Sequence, residues 1–235
     1  MSSLPRYEKK FSLPIQEKEN VAIELLRHPV MWTDKHTHHS IAFKEIYEPR
    51  TIYDVYFDTP DLSLYQSSQE GTGKRYKVRL RWYNSQIPSQ TPMLEIKYKD
   101  GELGTKERYL CNYPSLPFSD PFFDLNTLII NDQCTLPRAL WTHLRPEIQL
   151  SYKRHYYQCD TTNIRATLDY DYQVSPLDNP EKNNPNTLEN PLILEFKFPS
   201  KDYEKAYQLT SRLPYQIAKF SKYVTGMTIL KGITT

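Results

Sequence analysis

Residues 77–83, KVRLRWY, alternate charged and apolar side chains at every step. In an extended strand successive side chains point to opposite faces. Lys77, Arg79, Arg81 and Tyr83 therefore share one face, and Val78, Leu80 and Trp82 the other. The same split recurs outward from this stretch. MLEIKYK sets Glu95, Lys97 and Lys99 against Leu94, Ile96 and Tyr98, and TKERY puts Lys106 and Arg108 together. YKRHYYQ places Arg154 beside Tyr152 and Tyr156, while RATLDYDY sets Arg165, Asp169 and Asp171 opposite Ala166, Leu168 and Tyr170. LILEFKF sets Glu195 and Lys197 opposite Leu194, Phe196 and Phe198, and RYEKKF groups Arg6, Glu8 and Lys10.

Eight strands are expected, over 6–13, 51–58, 74–83, 93–99, 105–113, 146–158, 164–174 and 191–198. An amphipathic helix is expected over 15–32, a short helical turn over 60–66, a helical or irregular excursion over 120–144 and another helix over 201–213. The Pro- and Asn-rich stretch 175–191 reads as a long hairpin connection. Mostly sequential strands without regular intervening helices favour antiparallel pairing, and closure into a barrel removes exposed edges. The expected fold is α+β and mainly β: an eight-stranded antiparallel β-barrel with flanking helices, forming a single domain over 1–235 with a core of about 6–228.

A single strand of this kind would ordinarily wet its charged face. Charged faces on nearly every strand leave a closed sheet two arrangements, a charged exterior or a charged lumen. The amphipathic helices need an apolar surface to cover, and Trp82 suits packing beneath them, so the charges are assigned to a wide, hydrated lumen. That lumen gathers Lys10, Arg79, Arg81, Lys97, Lys106, Arg108, Arg154, Arg165 and Lys197, with fewer acids. Crowded like charges call for a counter-anion, and forked Arg with point-charge Lys suits phosphate.

The 235 residues carry 30 Lys+Arg against 28 Asp+Glu, a formal net charge of +2, so the bulk charge argues for neither nucleic acid nor membrane. Nineteen Tyr and eighteen Pro against six Gly favour strands with Pro-punctuated turns, and no Walker or dinucleotide fingerprint is present. Cys111, Cys134 and Cys159 form no CxxC pair and read as reduced thiols. Without a signal-like start or a long apolar run, the protein is expected to be soluble and cytoplasmic. The HTHH run at 36–39 has metal-like content but no paired ligands of known spacing, and is not taken as a metal site.

The ordered motifs RYEKKF (6–11), YFDTPDLSLYQ (56–66), KVRLRWY (77–83), LEIKYK (94–99), RPEIQLSYKRHYY (145–157), RATLDYDY (165–172), LEFKFP (194–199) and KFSKYVTGM (219–227) resemble the VTC domain. This is the polyphosphate-polymerising branch of the triphosphate tunnel metalloenzymes (CYTH-like superfamily). The resemblance implies a tunnel that takes ATP and inorganic polyphosphate. It makes Lys10, Arg79, Arg81, Lys97, Lys106, Arg154 and Arg165 phosphate binders, with Arg108 beside them. Glu195 becomes the carboxylate for Mn²⁺ or Mg²⁺, with Lys197 adjacent and Glu8 as a second metal ligand. Lys219, Ser221 and Lys222 become a phosphate-binding set on a closing helix. Hydrolytic members open with Glu-x-Glu-x-Lys, whereas this chain reads Arg6-x-Glu8-x-Lys10, which favours polymerisation over hydrolysis. The implied function is polyphosphate polymerase, a phosphotransferase moving the γ-phosphate of ATP to a growing chain. The alternatives are a triphosphatase on the same fold and a non-catalytic polyphosphate-binding module. Family complexes carry membrane spans on the same polypeptide; this chain either works alone or with a separate membrane partner.

Overall fold

The computed structural model describes residues 6–27, 30–34, 37–85, 91–101, 103–111, 138–177, 186–187 and 191–232. Strands β1 (Tyr7–Leu13), β4 (Phe43–Asp58), β5 (Lys74–Tyr83), β6 (Met93–Asp100), β7 (Leu103–Leu110), β8 (Arg145–Cys159), β9 (Arg165–Pro176) and β11 (Leu192–Phe198) form one antiparallel sheet. Their order is β1-β11-β9-β8-β4-β5-β6-β7, with the two-residue strand β10 (Asn186–Thr187) added beside β9. All eight expected strands are present, and KVRLRWY lies on β5 with the predicted alternation of faces.

The outer face is apolar and covered by helices. α1 (Lys18–Arg27) and α4 (Tyr203–Ser211) bring Val21, Leu25, Ala206 and Leu209 onto Phe11, Leu194, Phe196 and Phe198. On the other half, Leu64 of α2 (Ser63–Glu70) and Trp141 of α3 (Arg138–Trp141) cover Val55, Val78, Leu80, Trp82, Leu94 and Ile96. Removing each of these side chains from water contributes about 1.5–3 kcal/mol, which is why the apolar faces turn outward to the helices and the charged faces inward. α5 (Lys222–Lys231) takes the opposite side and lies on the inner face, with Tyr223 and Met227 packed against Tyr56, Ile148, Leu150, Tyr172 and Val174. A Cβ on Gly226 would stand 3.0 Å from Ile148 Cδ1 and 3.3 Å from both Leu150 Cδ2 and Val174 Cγ2, so the helix reaches this depth only with glycine there.

Among the described residues the sheet curls without closing, so the barrel expectation is not confirmed. Strand pairing ends at β1 on one side and β7 on the other. Curvature nevertheless brings Lys97 of β6 within 3.1 Å of Glu8 on β1. The free edge of β1 is used by the segment leading into α5: Ala218 N–H donates to the Lys10 carbonyl at 2.8 Å, and Phe11 bridges Ile217. The chain that enters the interior thus takes hydrogen bonds that closure would have needed.

Three further expectations are corrected. The helix over 15–32 is a 3-10 turn at Ile15–Glu17 followed by α1, which stops at Arg27. After it, β2 (Val30–Asp34) and β3 (Thr37–Ile41) pair as a separate hairpin, so Thr37, His38 and His39 of the HTHH run lie on a strand, while His36 is outside the described residues. β4 begins eight residues before the expected 51, because Phe43–Arg50 is largely exposed and interrupted by register shifts that mask its alternation. Finally, Asp171 does not share the face of Asp169. A register shift between Ser151 and Lys153 and a left-handed backbone at Asp171 (φ 53°) place its carboxylate on Lys153, 2.9 Å away, and turn Tyr172 inward. The 120–144 excursion is described only from 138, and most of the 175–191 connection lies outside the described residues.

Candidate functional site

The inner face is built from cross-strand rows. Register places Arg79 opposite Glu95, and Glu95 opposite Arg108, across β5, β6 and β7. Glu95 is 3% exposed and accepts from Arg79 at 2.6 and 2.8 Å, from Lys106 at 2.5 Å and from Arg108 at 3.2 Å. Burial alone would raise its pKa, but Arg79, Arg81 and Lys106 hold it well below the usual carboxylate range. One row further along, Lys77, Lys97 and Lys106 stand opposite one another on three neighbouring strands.

Asp54 is the second hub. It faces Arg81 across β4 and β5 and takes a bidentate pair from it, with both contacts at 2.7 Å. Arg81 also donates to the Tyr152 hydroxyl at 2.7 Å, and that hydroxyl in turn donates to Asp54 at 3.3 Å. Arg79 completes the group through the Tyr56 hydroxyl at 3.0 Å. Sequence reading passed over Asp54, although YDVYFD carries the same period-2 signal and puts it on the face of Tyr56 and Asp58.

Asp169 is the third. Arg154 clamps it at 2.5 and 2.6 Å and Lys222 adds a contact at 2.6 Å, which together hold its pKa down at about 2 against the opposing effect of burial. Asp169 thereby fixes the Arg154 guanidinium in place. Glu195, 5% exposed, lies opposite Lys10 on β1 and contacts Lys197 at 2.8 Å and Lys10 at 3.5 Å. Despite burial, those two ammonium groups hold it well below its ordinary pKa. Glu8 pairs with Lys97. Five described inner-face carboxylates, Glu8, Asp54, Glu95, Asp169 and Glu195, are thus already engaged by cations.

α5 enters this interior by its N-terminus. Ser221 caps the helix by accepting from Val224 N–H, and its hydroxyl also accepts from Lys77 at 2.7 Å. Partial positive charge at that helix end adds to the cationic surface. The helix is anchored by Tyr223, whose hydroxyl donates to buried Asp58. The same carboxylate accepts from the Leu64 and Tyr65 amides at the start of α2, at 2.9 and 2.8 Å. Tyr223→Phe removes one charge-assisted hydrogen bond and is expected to cost about 1.5–3 kcal/mol in chemical denaturation. Unchanged stability would show that Asp58 does not hold α5.

Of the residues singled out from sequence, Lys10, Arg79, Arg81, Lys97, Lys106, Arg154, Glu195, Lys197, Ser221 and Lys222 converge on this interior. Arg108 reaches Glu95 with a largely exposed side chain. Arg165 is exposed at the end of β9 opposite Lys197. Lys219 stays exposed in the segment before α5 and is not brought into these clusters. Lys77 and Asp54 are members that sequence reading left without a role.

The lysines carry the strain of this crowding. Burial, reinforced by Lys10 and Lys97, lowers Lys77 to about 7. Burial and Arg79 lower Lys106 to about 6, against the pull of Glu95. Burial lowers Lys222 to about 8 despite Asp169. Burial first, and neighbouring cations second, thus bring Lys77 and Lys106 close to neutrality, whereas Glu195 and Glu8 raise Lys10 against its burial.

A model of the VTC domain family matches residues 5–117 and 134–231. The chain belongs to the VTC domain family. The VTC domain's fold is also that of several solved structures. One is a proposed adenylate cyclase from Bacillus halodurans, at TM-score 0.56 and 15% identity over 99% of each chain. Another is a proposed adenylyl cyclase from Hippeastrum, reported to have a dominant triphosphatase activity, at TM-score 0.53 and 12% identity over 99% of this chain and 98% of that one. The PH1819 protein of Pyrococcus horikoshii aligns at TM-score 0.50 and 11% identity over 97% and 99%. At these identities the likeness concerns the fold alone. A search of curated proteins finds no match. Among the described residues no helix of this VTC domain is long and apolar enough to cross a membrane.

Proposed function

We propose that this VTC domain is a metal-dependent polyphosphate polymerase, transferring the γ-phosphate of ATP to the end of an inorganic polyphosphate chain. The carrying observation is the inner face itself. Its cations outnumber its carboxylates, five of which, Glu8, Asp54, Glu95, Asp169 and Glu195, are ion-paired already, leaving a surplus of Arg and Lys for a polyanion. Phosphoryl transfer through a loose transition state asks for positioning and charge stabilisation rather than covalent help from the protein.

In this reading Arg79, Arg81 and Arg154 hold the donor triphosphate, each fixed in place by Asp54, Glu95 or Asp169 so that little side-chain order is lost on binding. The acceptor chain runs along Lys77, Lys97 and Lys106, with Lys10, Lys197, Lys222 and the Ser221 hydroxyl completing the cage. Arg165 and Arg108 draw the anion in at the exposed end, and Lys219 contributes only long-range attraction. The nucleophile is a phosphate oxygen, already anionic near neutral pH. It needs no general base; of the described inner-face carboxylates, Glu8, Asp54, Glu95, Asp169 and Glu195 are held by cations, and Asp58 is taken up by the Tyr223 hydroxyl and the Leu64 and Tyr65 amides. This favours transfer to phosphate over activation of water. Hydrolysis is the second reading, carried by the paired carboxylates Glu8 and Glu195 on neighbouring strands.

The donor set fits a hard divalent cation of the Mn²⁺ or Mg²⁺ type. Among the described residues no group of three or more His, Cys, Asp or Glu is arranged for a metal, so Glu195 and Glu8 would supply two carboxylates and the substrate phosphates the remaining oxygens. When bound, such an ion neutralises charge developing on the transferred phosphoryl group. Lys10 and Lys197 keep Glu195 ionised, and thus ready to bind a cation, throughout the physiological range.

Incubating the protein with ATP and Mn²⁺ and resolving products by gel separates the readings. Long chains with ADP support polymerisation, and free phosphate replaces it with hydrolysis. Binding without turnover reduces the protein to a polyphosphate-binding module. The ligand itself is also expected to take up protons. An anion restores the ordinary basicity of Lys106 and Lys77, so affinity is full below about pH 6 and falls as pH rises through their free values of about 6 and 7. Calorimetry of tripolyphosphate binding at pH 7.5, in buffers of different ionisation enthalpy, should show uptake of on the order of one proton. A buffer-independent heat would refute the linkage.

A further inference from the structure

Three buried hydroxyls find no hydrogen-bond partner among the described residues, those of Ser68, Thr167 and Tyr172. Buried polar groups are nearly always bonded, so each exception raises the question of its partner. Ser68 belongs to α2, the helix that covers the outer face. The Tyr172 ring is packed against Tyr152 and Phe220, with centroids 5.4 and 5.6 Å away. Thr167 differs from both, because the groups around it are ionic.

Strand alternation puts Thr167 on the inner face of β9, between Arg165 and Asp169, while Ala166 and Leu168 turn to the outer core. Across the sheet it stands opposite Glu195 of β11 and Tyr156 of β8, in a row that continues to Lys10 of β1. Its next inner neighbour, Asp169, holds Arg154. Opposed side chains on paired strands have Cβ atoms about 4.5–5.5 Å apart and diagonal ones about 7–8 Å, within reach of an arginine. Thr167 thus lies between the carboxylate assigned to the divalent cation and a guanidinium assigned to the triphosphate. A phosphate group that spans the two passes over its hydroxyl. In the free protein Lys197 and Lys10 fold onto Glu195, at 2.8 and 3.5 Å, and both remain part-exposed, so their ends can swing toward an anion and open this row to it.

We propose that Thr167 is a further ligand-binding residue of this site, its hydroxyl donating to a phosphate oxygen held between Glu195 and Arg154. The contact rests on the phosphate-binding reading above and adds a neutral donor on the β9 wall of a cage made mostly of cations. A hydroxyl is less costly to leave unpaired than a carboxylate or an ammonium, and the cost of its burial in the free protein is recovered when the anion supplies the acceptor.

The test pairs thermal unfolding of the intact protein with titration calorimetry of tripolyphosphate. Thr167→Val keeps the β-branched shape and removes the hydroxyl. Because an unbonded buried hydroxyl costs stability, the free variant is expected to melt about 2–4 °C above the unaltered protein while its tripolyphosphate affinity falls about tenfold. Thr167→Ser retains the hydroxyl and is expected to bind within about twofold of the unaltered protein. A Thr167→Val variant that binds as tightly as the unaltered protein overturns the contact while the phosphate cage stands. A lowered melting temperature in that variant overturns it as well, since the hydroxyl then has a structural partner, and so does a Thr167→Ser variant as weak as Thr167→Val. Failure of the unaltered protein to bind tripolyphosphate overturns the cage and the contact together.

Discussion

Replacing Glu195 by Gln is expected to lower ATP-dependent product formation by at least about a hundredfold while leaving the fold in place. The substitution keeps the size of a side chain that is 5% exposed and removes its charge. What it leaves behind decides the stability outcome. Lys197 and Lys10 retain side-chain exposures of 32% and 26%, so each can turn toward water once the carboxylate is gone. The stability cost is therefore of the order of 1 kcal/mol, typical of a partly solvated pair. Tripolyphosphate binding should persist, because the same two lysines become free for phosphate. Turnover should not, because the carboxylate assigned to the cation is lost. Normal Mn²⁺-dependent activity in the variant would remove Glu195 from the proposed site. Loss of both activity and cooperative unfolding would make it a structural ion pair.

Asp54→Ala should do the opposite, with its main effect on stability. Asp54 is 0% exposed and Arg81 is 6% exposed, so little of the guanidinium can be hydrated in place of its partner. Breaking such a pair from one side costs about 3–5 kcal/mol, because the charge left behind is buried without a partner. For a chain of this length that corresponds to a fall in Tm of roughly 10 °C. The Tyr152 hydroxyl and Arg79 lose a partner as well, so the effect should stand at the upper end of that range. Saturating tripolyphosphate should recover more Tm in the variant than in the unaltered protein, since it brings negative charge to the same guanidinium groups. A variant that melts at the normal temperature would show that Arg81 reaches solvent in solution. Equal ligand shifts in the two proteins would show that the anion does not contact Arg81.

These contrasting outcomes follow from depth in the sheet, and depth is what strand alternation reports poorly. Period 2 puts Arg79 and Arg81 on one face of their strand and Glu95 on the charged face of its own, because neighbouring residues on a regular strand point to opposite faces. It does not say which charges on that face find each other. Glu95 was legible as an inner residue, but its service as counter-ion to Arg79, Lys106 and Arg108 depends on β6 lying between β5 and β7. Asp54 was overlooked for a different reason. Its neighbours Tyr53, Val55 and Tyr56 make the stretch read as an apolar core strand, and the one carboxylate gains meaning only opposite Arg81. Asp171 was assigned to the wrong face because a bulge inserts a residue and inverts parity beyond it.

The formal charge of +2 gave no hint of a polyanion site, since it sums the inner face with acids elsewhere on the chain. By itself the sequence determined which side chains share a face, that the apolar faces need helices over them, and through the ordered motifs the family. Those are local or one-dimensional properties, set by the pleat of the strand and by residue order. Tertiary structure alone decided that the sheet curls without closing, that the segment before α5 takes up the free edge of β1, and that α5 enters the interior over Gly226. It also decided which Lys and Arg are neutralised and which remain available. Pairing, closure and burial join residues far apart in the chain, and their energies depend on distance and local dielectric rather than on position in a sequence.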